Sequence, residues 1–171
     1  MRFLIIFCLL PLMQSCGLHA TGHPSNNPVS EQTQSIDDMR NKNDPVNIVR
    51  GFYQQQQHLD QFWSVDPATR SMLFSKRLAA LFTSNQRKYG QVMITFDPIV
   101  NGQDALITDL VVNPSVIHRN RAYVHVHFRN FGHDIAMVYH FIRERDGWKL
   151  DEIAAIGGEA RWLLSDVLLN P

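Results

Sequence analysis

The sequence predicts an α+β fold: N-terminal helices packed on one face of an antiparallel four-stranded sheet, with a short C-terminal helix. Three observations predict it. Apolar side chains recur at helical spacing as far as Tyr89. Beyond that point they alternate, as they do in half-buried strands. Turn signals, Asp146-Gly147 foremost, then join neighbouring strands as tight hairpins.

The first helix begins at Asp44-Pro45, an N-cap followed by a residue suited to the first helical position. Val46, Val49, Phe52, Tyr53 and Gln56 give it one apolar stripe, and it fades near Leu59 to Trp63. Asp66-Pro67 repeats the start signal for a short helix over Ala68 to Phe74. Ser75 caps a third helix that buries Leu78, Leu81 and Phe82 and ends at Tyr89-Gly90. Tyr89 to Asp104 reads as an irregular connection with one short strand at Val92 to Phe96, since Asp97-Pro98 and Asn101-Gly102 are turn signals. The four main strands are expected at Ala105 to Val112, Arg121 to Asn130, Asp134 to Arg145 and Trp148 to Ile156. Phe131-Gly132-His133 turns the middle hairpin, and Trp148 and Leu150 are expected in the core. Gly157-Gly158 ends the last strand, and Glu159 to Leu169 returns to helical spacing on Trp162, Leu163 and Val167.

Ahead of this domain, residues 1–20 read as an export signal: Met1-Arg2, an apolar run from Phe3 to Met13, then small residues. The run is too short to span a bilayer as a helix. Two cuts fit. Leu12-Met13-Gln14-Ser15-Cys16 resembles a lipoprotein box, which would leave Cys16 as a lipidated N-terminus, and a cut after Ala20 would release an unanchored chain. Lipidation is preferred, because Cys8 lies in the leader and Cys16 would be the mature chain's sole cysteine. The folded part then has no disulfide and depends on its core. Residues 21–44 are rich in Ser, Asn, Pro and Gln and read as a flexible tether, which leaves 45–171 as one domain.

Acids and bases balance at 16 each, so no strong field exists to collect nucleic acid. No nucleophile elbow, phosphate loop, H-E-x-x-H helix or C-x-x-C pair occurs. Asp97, Asp104 and Asp109 would serve acid–base chemistry only if one were buried, and turn chemistry accounts for them more simply. No catalytic residue and no cofactor is assigned.

Setting Arg129 opposite Asp134 sorts the middle hairpin into two faces. Val124, Val126, Phe128, Ile135, Met137, Tyr139 and Phe141 form the apolar one. Tyr123, His125, His127, Arg129, Ala136, Val138, His140 and Ile142 form a mixed one, the candidate partner face. His125, His127 and His140 invite a zinc hypothesis, but solvated strand residues are the simpler reading and no metal is assigned. Their imidazoles also raise the idea of a pH sensor.

Certain short motifs in a fixed order carry a resemblance. They are Pro45 with Phe52-Tyr53, Ser75 with Leu78 and Leu81, Asp97-Pro98, Gln103-Asp104, and Gly147-Trp148-Lys149-Leu150-Asp151-Glu152-Ile153. The chain resembles a domain-of-unknown-function family of exported bacterial proteins and lipoproteins with a cystatin-like, nuclear transport factor 2-like cone. The resemblance implies a curved sheet and a pocket between it and the first helix, lined by Tyr53, Asp97, Gln103 and Asp104. Ile99 and Ala105 stand where the family often has aromatics.

The expectation is a non-enzymatic lipoprotein of the cell envelope or periplasm that binds an envelope protein through the His-bearing face. Membrane attachment would come through Cys16, and the same face would also allow a homodimer. An immunity-type inhibitor of a periplasmic toxin and a small-molecule binder or enzyme using the cone are the alternatives.

Overall fold

A computed structural model describes residues 43–54, 67–158 and 160–171. The leader with Cys16, the tether up to residue 42, the Leu59–Trp63 helix end, the Asp66 cap and Glu159 lie outside the described residues.

Three helices come first: α1 (Pro45–Gln54), α2 (Pro67–Leu73) and α3 (Lys76–Tyr89). The start signals of α1 and α3 act as expected. Asp44 Oδ1 accepts from Val46 N at 2.8 Å, and Ser75 Oγ accepts from Leu78 N at 3.1 Å. Gly90 ends α3 in the left-handed region that glycine reaches without strain, at φ 82°. Val49, Phe52 and Tyr53 of α1 and Leu78 and Phe82 of α3 are buried, while Leu81 is half-buried.

The sheet corrects the expected fold. It has six strands, not four, all paired antiparallel, in the order β1-β3-β4-β5-β6, with β2 also on β3. The strands are β1 (Ile107–Val112), β2 (Val116–His118), β3 (Arg121–Asn130), β4 (His133–Glu144), β5 (Gly147–Gly157) and β6 (Trp162–Leu163), followed by α4 (Leu164–Leu169). Both β1 and β2 lie along β3, with Pro114 between them. Proline lacks the N–H that a continuous ladder needs, so one edge becomes two short strands. The predicted strand at Val92 to Phe96 does not form.

The predicted helix from Glu159 is also corrected. Trp162 and Leu163 instead extend the sheet against Ala155 and Ala154. The helix starts at Leu164 and buries Leu164, Ser165 and Leu168, not Leu163 or Val167. Tertiary pairing overrides the local period here, because six residues of helix alone gain little.

The middle hairpin has the expected register, with Arg129 opposite Asp134. Val124, Val126, Phe128, Ile135, Met137, Tyr139 and Phe141 all join the core with α1 and α3. Trp148 is half-buried at the rim of that core, and Leu150 is fully inside. β5 shifts register twice against β4, between His140 and Phe141 and between Ala136 and Met137. Such bulges bend a strand and re-aim its side chains. Near the first shift, Ser75 Oγ donates to Asp151 Oδ1 at 2.5 Å. Glu152, also there, accepts from Ser165 N at 2.9 Å, which supplies α4 with the cap its own sequence lacks.

Candidate functional site

The pocket implied by the resemblance divides into two places. Tyr53 is in the core: its hydroxyl donates to Ile99 O at 3.2 Å and lies 2.8 Å from the Tyr139 hydroxyl. Burial pushes both hydroxyls above the usual phenol range, and the Asp97 charge adds to it. Asp97 folds its own loop. Its Oδ1 accepts from Ile99 N at 2.8 Å, and its backbone bridges Gly102, which buries Pro98, Ile99 and Val100. The turn reading of Asp97 is therefore the right one. Gln103 and Asp104 stand elsewhere, exposed beside a cleft of about 650 Å³ at the β3–β4 turn.

Asn130, which sequence reasoning treated only as a strand end, builds that cleft. It is buried, and its Nδ2 donates to Val100 O at 3.1 Å and Asp104 O at 3.0 Å. Its Oδ1 accepts from Leu106 N at 2.8 Å. One side chain thus fixes both ends of the 100–106 segment against β3. Trp162 Nε1 holds the middle, donating to Asn101 Oδ1 at 2.7 Å, while its ring meets Phe96 edge-on at 5.1 Å. An asparagine at a strand end, followed by Phe-Gly, was the available signal.

The second candidate is the sheet face away from the buried core residues. Ladder partners share a face, so Val111 joins His127, and Val116 joins Tyr123. Ala154 pairs with both Val138 and Leu163 and continues the face across β5 to β6. Val111 and Val116 are 52% and 60% exposed. Leu163 is exposed too, whereas Val138 and Ala154 are buried. Tyr123, His125 and His140 are half-buried among them, and His127 and Arg129 are exposed.

Tyr123 and His140 meet edge-on at 5.1 Å. Burial holds the His140 imidazole below its usual range; Glu152 and Asp151 oppose this, while His125 and Arg121 reinforce it. At the upper rim Arg129 pairs with Asp134 at 2.9 Å and reaches Asp109 at 4.0 Å. The pairing with Asp134 and Asp109 raises the Arg129 guanidinium pKa further. His125, His127 and His140 share the face without converging: among the described residues no three His, Cys, Asp or Glu side chains form a group fit for a metal ion. Asp104 and Asp109 are both exposed, so neither has the buried environment that acid–base work would need.

No protein-family model matches the chain, and no curated protein matches it. Among solved structures, a phospholipid-binding protein from Ralstonia solanacearum, in complex with a phospholipid, is 15% identical over 82% of each chain, with a TM-score of 0.32. A likeness at that level says nothing about this chain's ligand.

Proposed function

We propose that this protein is a non-enzymatic binding module of the bacterial cell envelope, exported by its leader and anchored through Cys16, which engages a protein partner on its open sheet face. The observation that carries the reading is the make-up of that face. Exposed Val111, Val116 and Leu163 alternate with Tyr123, His125, His127 and His140, and the Arg129–Asp134 ion pair sits at the rim. Aromatic and imidazole side chains on the central strands, flanked by exposed apolar residues on the edge strands, give this face the aromatic enrichment common at protein interfaces. Arg121, exposed on this face, favours a partner that presents acidic groups among apolar ones.

The leader and the anchor rest on Met1 to Cys16, and the tether ahead of residue 45 would let the domain stand off the membrane. Among the described residues no helix is long and apolar enough to cross a membrane.

The test places a photo-cross-linking amino acid at His127 in the full chain in cells, with the same probe at Arg87 on α3 as the control. One stoichiometric adduct from His127, absent from Arg87 and weakened by His125→Glu, is the expected result. An adduct of twice the protomer mass would replace the foreign partner with a second copy. No adduct, or the same one from both positions, removes the face from the account. Fractionation of a Cys16→Ser chain tests the anchor separately, and unchanged membrane association would refute it.

A further inference from the structure

We propose that the cleft at the β3–β4 turn binds a small organic amine, held by the Phe131 ring and the Asp104 carboxylate. Its volume, about 650 Å³, is that of a small-molecule site. It is also preformed. The three Asn130 hydrogen bonds, the Trp162–Asn101 bond and the Asp97–Gly102 bridge fix the wall whether or not anything is bound. A wall fixed in advance loses little entropy when a ligand arrives.

Phe131 lies on the rim and carries two costs. It is 55% exposed, a large apolar surface left in water. It also takes φ 51° in the two-residue turn with Gly132, a position that favours Asn, Asp or Gly. A bulky residue there is a conformational outlier, and outliers of this kind gather at binding sites. Gly158 also lines the cleft. It takes φ 104°, and a Cβ there would stand 3.3 Å from Asp134 O.

Charge selects the ligand class. Asp104, Asp134 and His133 line the cleft, and among the described residues no lysine or arginine side chain does. Asp134 is engaged by Arg129 at 2.9 Å. Asp104 pairs with no cation among the described residues, so its carboxylate is available. A phosphate or carboxylate ligand would meet the like charge of two carboxylates, with only the His133 imidazole against them among the described lining residues. An ammonium on an apolar body finds a carboxylate and an aromatic face together, the arrangement that attracts organic cations. The inference is independent of the sheet-face reading.

The experiment is an amide chemical-shift titration of the full chain with phenethylamine, phenethyl alcohol and phenylacetate, which share one apolar body and differ in charge. Saturable shifts at Gln103, Phe131 and Gly158 are expected for phenethylamine, at an affinity at least about tenfold above the other two. Asp104→Asn should bring the amine down to the level of the alcohol. Phe131→Ser should weaken the amine and the alcohol alike. Equal binding of all three compounds, no saturable shift, or an amine affinity that Asp104→Asn leaves unchanged would overturn the proposal.

Discussion

Removing the hydroxyls of Tyr53 and Tyr139 one at a time should destabilise the protein unequally. Tyr53 has a single hydroxyl proton, and Ile99 O, which can only accept, takes it at 3.2 Å. With that proton given to Ile99, the 2.8 Å bond between the two hydroxyls is assigned from Tyr139 to Tyr53. Tyr139→Phe deletes one donor and leaves the Tyr53–Ile99 bond intact, at a cost of about 1 kcal/mol. Tyr53→Phe strands two groups at once, the Tyr139 hydroxyl and the Ile99 carbonyl, and Tyr139 and Ile99 are both fully buried. At roughly 1–3 kcal/mol for each unsatisfied group, the loss should be about 2–4 kcal/mol.

The double replacement removes one of the stranded groups again. It should be less destabilised than Tyr53→Phe alone, so the cycle is strongly non-additive. Urea unfolding followed by tryptophan fluorescence measures all four chains. Equal losses for the two single variants, or a larger loss for Tyr139→Phe, would refute the assigned direction of the bond. The same pair sets an alkaline limit. Both hydroxyls have raised folded-state pKa values, so above the ordinary phenol value of 10.0 the unfolded chain releases protons that the folded chain keeps. Stability is therefore fully present below about pH 10 and falls as pH rises beyond it, less steeply in the double variant.

Asn130→Ala should cost about 2–4 kcal/mol, since it leaves Val100 O, Asp104 O and Leu106 N without their partner, and amide exchange at Leu106 should accelerate more than exchange in β4. Glu152→Ala should release α4 from β5, because Ser165 N loses its acceptor and Arg77 one of its two carboxylates; a loss of about 1–3 kcal/mol in urea unfolding is expected. His140 gives an acid-side signature. Its folded pKa lies below the ordinary imidazole value of 6.5, chiefly through burial, so as pH falls below 6.5 the unfolded chain takes up a proton that the folded chain refuses. Stability should drop across that window down to the folded pKa, and His140→Gln should flatten the drop in a series of urea titrations at stepped pH.

The sequence by itself determined whatever depends on near neighbours. Asp44, Ser75 and Gly90 bound their helices because a cap acts within one turn. The β3–β4 register followed from alternation and the turn signal at Phe131-Gly132-His133, and with it came the division between the buried Val124–Phe141 set and the Tyr123–His140 face. Asp97 was legible as a turn residue for the same reason. Only the tertiary structure decided what depends on distant partners. Whether Trp162-Leu163 became helix or strand turned on the free edge of β5, and whether Val116–His118 became a strand turned on the remaining length of β3. The candidate pocket residues parted for this reason too. Tyr53 found Tyr139, 86 positions away, while Gln103 and Asp104 followed Asn130 to the β3–β4 turn. Local spacing carries no information about which of several compatible long-range contacts buries the most surface and satisfies the most polar groups.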